Sequence, residues 1–151
     1  TIKGGSVEQM LKSLLSGDIK NFYKIFATTV ERTLSFHDVG EDKSESFYHA
    51  FVLGMLVYID KDYEIRSNRE SGFGRYDVMI IPKDKNKKGI VIEFKKVDKF
   101  EEETFETALK AALMQIEEKK YDSELKSLGI NDIVKVGIAF KGKEVKIATV
   151  F

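Results

Sequence analysis

Cysteine is absent from the 151 residues, proline occurs once, and neither sign of charge prevails, with 25 Lys+Arg against 25 Asp+Glu. Without a thiol there can be no disulfide framework, no Cys-bound zinc and no cysteine nucleophile, and a reducing cytoplasm is the expected compartment. The apolar runs are only a few residues long, far short of the ~20 that cross a bilayer, and no charged segment leads into a signal-type core. The expectation is a chain with no membrane span. Zero formal net charge removes the broad positive field of non-specific nucleic-acid binders, so contact with nucleic acid would have to come from a local patch. The remaining composition, 42% hydrophobic and 11% aromatic, reads as one soluble globular domain with a helical extension.

Thr1 to Gly5 carry no start signal, which fits a chain trimmed from a longer polypeptide. A helix capped by Ser6 and stopped by Gly17 is followed by a second capped by Asp18, with Ile19, Phe22, Phe26 and Val30 at spacings of three and four. The pair predicts an amphipathic hairpin over residues 1–34, and Ser35 to Lys43 a polar connector into a second unit, residues 35–151. Ser44 to Ile59 is apolar on nearly every side, the composition of a helix buried by its neighbours. Strand patterns follow at Tyr63–Ser67, Tyr76–Ile81 and Ile90–Lys95, separated by glycine-rich and charged turns. Helical spacing returns over Phe105–Ile116, a short helix around Glu124 ends at Gly129, and Ile133–Phe140 with Glu144–Val150 close the chain as a hairpin. The predicted fold is α/β, a mixed central sheet flanked by helices.

Glu93 and Lys95 stand two apart in a strand, so they share one face while Ile92 and Phe94 point to the other. If Tyr76–Ile81 pairs with Ile90–Lys95, two of the possible registers put Asp77 opposite Glu93 or opposite Lys95 and gather two carboxylates and an ammonium. A register one residue off faces Asp77 with Phe94 and scatters the cluster. Two carboxylates at ~4 Å repel by about 4 kcal/mol at an effective dielectric of 20, and one lysine offsets only part of that. A hard divalent cation, Mg²⁺ or Mn²⁺, suits all-oxygen ligation of this kind and can polarise a phosphoryl oxygen and acidify bound water. The chemistry this suggests is phosphodiester hydrolysis.

The segments SESFYHAFVLGML, SNRESGFGRYDVMI, IVIEFK, ALMQIEEKKY and VGIAFKGKEV, in that order, resemble the PD-(D/E)XK nuclease superfamily, and within it a bacterial branch usually found C-terminal to an AAA-ATPase-like domain. The resemblance implies an αβββαβ restriction-endonuclease-like core. It also implies metal binding by Asp77 and Glu93, catalytic support from Lys95, a further metal or water contact from Glu45, and active-site or substrate contacts from Gln115. DNA is the implied substrate, and an ATPase-like portion preceding this chain the implied partner. Tyr76 stands where the superfamily name has proline.

Plainer accounts compete for several of these residues. Glu45 can complete a capping box with Asp42. His49, one turn after Glu45, can reach the site as a substrate contact or be a hydrogen-bonded core histidine. Gln115 lies off the Phe105–Ile116 stripe, where an exposed glutamine is ordinary, and Tyr121 can hydrogen-bond inside the cleft as a substrate contact or be simple packing. Arg69 and Arg75 flank a turn and can face a phosphate, yet Arg69 with Glu70 can equally be a surface pair. The loop lysines Lys83, Lys85, Lys87 and Lys88 read as solvated edge protection. The rival for the whole chain is a catalytically inactive module that keeps the fold to bind nucleic acid or regulate an attached ATPase-like domain.

Overall fold

Two helices open the chain, and Ser6, expected as the cap of the first, lies within it. α1, Gly5–Ser16, is stopped by Gly17, whose φ of +84° takes the backbone into the left-handed region, and Asp18 then caps α2, Ile19–Thr33, by accepting from the Asn21 N–H at 3.2 Å. The computed structural model describes residues 5–33, 44–68, 70–72, 74–97 and 103–151, and the side chains at 44, 45, 70, 71 and 75 lie outside the description. The expected connector over 35–43 and the Asp42 cap therefore fall outside the described residues.

α3, Ser44–Leu56, buries Tyr48, Val52, Met55 and Leu56 but turns Ser46, Ala50 and Gly54 to solvent. The expectation of burial on every side is corrected: alanine and glycine raise the apolar count of the sequence while hiding little area. A single 3-10 turn, Val57–Ile59, leads to β1, Tyr63–Ser67. A small antiparallel ribbon, β2 (Glu70–Ser71) with β3 (Gly74–Arg75), occupies what the sequence reads as a plain turn. β4 is Val78–Pro82 and β5 is Gly89–Lys96. α4, Phe105–Glu118, is capped by Thr104 Oγ1, which accepts from the Thr107 N–H, and α5 is Ser123–Ser127. The chain closes with β6, Ile133–Lys141, and β7, Glu144–Val150.

The main sheet has the order β1-β4-β5-β6-β7, with β5 parallel to β6 and the other pairs antiparallel. The parallel pair follows from topology: α4 and α5 carry the chain back across the sheet, as a parallel connection requires. Alternation then sorts the side chains. Val78, Ile80, Ile90, Ile92 and Phe94 share a core with α1, α2 and α3, while Met79, Ile81, Val91 and Ile133 pack with Ile116, Tyr121 and Leu125 on the other side. The result is helices on both faces of a mixed sheet, with αβββαβ connectivity at its centre. No helix among the described residues is long and apolar enough to cross a membrane.

Small residues bring α4 close to the sheet. A Cβ at Gly137 of β6 would stand 3.1 Å from Ala112 Cβ, so the missing methyl sets the height of the helix and of Gln115, one turn further on. The ribbon is held just as tightly against the end of α4. Gly72 has φ +60°, and a Cβ there would lie 2.2 Å from the Lys119 carbonyl oxygen. Gly72→Ala is expected to destabilise the protein by about 1–3 kcal/mol, read as a lower midpoint in urea unfolding.

A partly exposed ionic cluster ties the turn between α4 and α5 to β6. Lys135 Nζ reaches Glu117 at 2.6 Å and Asp122 at 3.4 Å, and Lys126 pairs with Asp122 at 2.9 Å. Burial pushes the Asp122 carboxyl upward, but the hydrogen bond from Lys126 and the charge of Lys135 prevail and hold it below the ordinary range. A depressed carboxyl contributes stability that is present above its unfolded pKa and is lost as pH falls through the folded value. Asp122→Asn should therefore cost about 1 kcal/mol at neutral pH. In urea titrations its deficit against wild type should shrink once the pH is below about 4 and vanish at lower pH.

Candidate active site

The alignment of β4 with β5 decides whether the acidic residues meet. Val78 pairs with Ile92, Met79 with Val91 and Ile80 with Ile90, so the next position outward brings Asp77 to Glu93. This is one of the two cluster-forming registers. Asp77 stands just before β4 rather than within it, one residue beyond the last paired position. Its carboxylate replaces the missing strand: Asp77 Oδ2 accepts from the Phe94 N–H at 2.8 Å, a backbone donor that the shortened ladder leaves for a side chain to satisfy.

Glu93 is 4% exposed, which excludes an ion pair on a wet sheet face. A carboxylate taken this far from water needs defined partners. Gln115 supplies one of them. Its Nε2 donates to Glu93 Oε1 at 2.8 Å and to the Tyr121 hydroxyl at 3.0 Å, while its Oε1 accepts from Lys95 Nζ at 2.6 Å. The amide can sit only one way round, because a flip would aim NH₂ at the ammonium and the carbonyl at the carboxylate. Gln115 thus spaces Glu93 and Lys95, which alternation has already put on one face. Tyr121, 2% exposed, meets Gln115 through its hydroxyl and Tyr76 through its ring, edge-on at 6.3 Å.

Burial raises the Asp77 carboxyl above the ordinary carboxylate range; the Phe94 N–H, the charges of His49 and Lys95 and a hydrogen bond with Glu93 oppose this without cancelling it. The donor set fits a hard divalent ion on chemical grounds: two carboxylates, no sulfur, and water or phosphate oxygens to complete the shell. Among the described residues, no group of three or more His, Cys, Asp or Glu side chains is arranged to hold a metal.

His49 approaches from the opposite face of the sheet. Its Nε2 lies 3.2 Å from the Asp77 carbonyl oxygen and 2.9 Å from Ser67 Oγ, and its ring meets Phe94 edge-on. The residue is half-buried and hydrogen-bonded. Glu45 belongs to the first turn of α3 and Arg75 to β3, but their side chains, like Arg69 altogether, fall outside the described residues. The lysine-rich loop sits at the end of β4 remote from Asp77, where Lys83 donates to the Lys61 carbonyl and Lys88 pairs with Asp132. The sequence reading passed over Ser67, Asn68 and the Phe94 amide. Backbone donors carry no residue signature, and a serine in a strand is ordinary.

A mixed sheet between helices, with two carboxyls and a lysine assembled where β4 and β5 diverge, defines a restriction-endonuclease-like domain. Residues 43–150 match the family model of the PD-(D/E)XK nuclease superfamily, and the chain belongs to that superfamily. Comparison with curated proteins found no match, and comparison with solved structures found none.

Proposed function

We propose that the chain is a metal-dependent nuclease domain that hydrolyses phosphodiester bonds in nucleic acid, with DNA as substrate. Superfamily membership supports nucleic acid as the substrate class, and the observation that carries the reading is the meeting of Glu93 and Lys95 on Gln115 with Asp77 brought to Glu93 by the β4–β5 register. Asp77 and Glu93 would hold Mg²⁺ or Mn²⁺. When bound, the ion would supply Lewis-acid polarisation of the phosphate and a more acidic water.

The chain's own residues do the rest by placement. The Phe94 N–H holds the Asp77 carboxylate in one orientation, and Gln115 holds Glu93 in another, so neither acid has to be ordered when ligand arrives. Lys95 Nζ has three donors and gives one to Gln115. The others can orient the attacking water and neutralise charge growing on the phosphoryl oxygens. Tyr121 fixes the far side of Gln115 and so acts on the site at one remove.

The superfamily resemblance further supports a division into a helical extension, 1–34, and a nuclease domain, 35–151, with an AAA-ATPase-like partner in a longer polypeptide. Zero net charge favours a second reading, a module that binds nucleic acid or serves such a partner without cutting. Single- and double-stranded DNA and RNA incubated with the purified protein and Mg²⁺ or Mn²⁺ separate the two. Cleavage by wild type that is lost in Asp77→Ala supports the nuclease; binding without turnover in both proteins supports the module.

A further inference from the structure

Asp77 has an unusual mechanical problem. It lies one residue outside both ladders that flank β4, since the last pairs are Ser67 with Val78 on one side and Val78 with Ile92 on the other. Strand pairing therefore does not fix its peptide, although a metal-binding carboxylate must keep one position. Three contacts make up the difference. Phe94 N–H takes Oδ2, Asn68 N–H donates to the Asp77 carbonyl at 3.1 Å, and His49 Nε2 faces the same carbonyl at 3.2 Å.

A carbonyl oxygen can only accept, so the His49 contact is a hydrogen bond when Nε2 carries the proton. Ser67 Oγ at 2.9 Å is the second oxygen on that nitrogen, and Phe94 packs on the ring. One residue, Phe94, thus steadies Asp77 through its backbone and His49 through its side chain. His49 touches the Asp77 main chain and not its carboxylate among the contacts described. Partners behind a metal ligand commonly change metal affinity by about 10- to 100-fold when removed.

We infer that His49 is a positioning residue: through Nε2–H it clamps the Asp77 peptide to α3 and so fixes the aim of a metal-binding carboxylate that the sheet leaves unpaired. The inference rests on the assignment of Asp77 and Glu93 as the metal-holding pair. A leucine at this position keeps bulk but loses the donor. A glutamine places an amide N–H near the position of Nε2 and should restore the clamp.

The test is calorimetric titration of the full chain with MnCl₂, with thermal melts in parallel. The expected result for His49→Leu is an Mn²⁺ Kd weakened about 10- to 100-fold, with His49→Gln within about threefold of wild type. Ser67→Ala should keep the Nε2–carbonyl contact and stay near the glutamine variant, which leaves the proposal open to test if the leucine variant does not fold. Where DNA cleavage is measured, His49→Leu should regain rate at high metal concentration with KM for DNA unchanged. A purely structural histidine would lower the melting temperature of the leucine variant and leave Kd alone, and that result overturns the inference. So does loss of affinity in His49→Gln as deep as in Asp77→Asn, which would make the imidazole itself a ligand. If Asp77→Asn binds Mn²⁺ as wild type does, the underlying assignment fails instead, and with it the reason for a clamp.

Discussion

Asp77→Asn is expected to lower metal-dependent cleavage by about 10³-fold, a loss of about 4 kcal/mol of transition-state stabilisation, while raising the melting temperature of the metal-free protein. The two signs come from one cause. Burial lifts the Asp77 carboxyl above its ordinary range. A group whose folded pKa is raised contributes stability that is fully present below its unfolded pKa and is lost as pH rises through the folded value. As pH rises through that folded value, the charge beside Glu93 therefore weakens the fold. Asparagine keeps an oxygen for the Phe94 N–H and drops the charge. A gain of about 1 kcal/mol corresponds to roughly 2–4 °C in a chain of this length. Saturating Mn²⁺ should raise the melting temperature of wild type and leave the variant unmoved. A destabilised Asp77→Asn would mean that the carboxylate holds the fold together, and the site would lose its main support.

Lys95→Met should cost about 10²- to 10⁴-fold in the cleavage rate without weakening Mn²⁺ binding. Lys95 is not a metal ligand in this account. Its positive charge helps keep Asp77 ionised but also opposes a nearby cation, so its removal leaves metal affinity equal or tighter. Arginine is no substitute, because a planar fork cannot take the place of a compact ammonium seated on the Gln115 carbonyl at 2.6 Å. Single-turnover cleavage with calorimetry on the same preparations reads both effects. Parallel loss of rate and metal affinity would count against the assigned role.

Much of the fold is legible because its signals are local. Gly17 followed by Asp18 marks the break between α1 and α2, the Phe105–Ile116 spacing marks α4, and Gly142, with φ +60°, marks the turn between β6 and β7. The D…ExK triplet is equally visible, since a strand puts Glu93 and Lys95 on one face by alternation alone. What the sequence leaves open is relational. Whether Asp77 faces Glu93 or Phe94 depends on a one-residue alignment that turn chemistry does not determine. Gln115 reads as a surface residue because an amide carries no charge to betray its company. Its half-buried place between Lys95, Glu93 and Tyr121 follows from the close seating of α4 on Gly137, a tertiary fact. His49 gave two readings, and its distances to Ser67 and Asp77 emerge only when α3 is laid against the sheet.

The most direct measurement is anomalous diffraction from a crystal of the protein soaked in Mn²⁺. A peak within bonding distance of carboxylate oxygens from both Asp77 and Glu93, with Lys95 beside it, is the predicted result. Manganese bound elsewhere, or no peak between those two acids in well-ordered crystals, would contradict it.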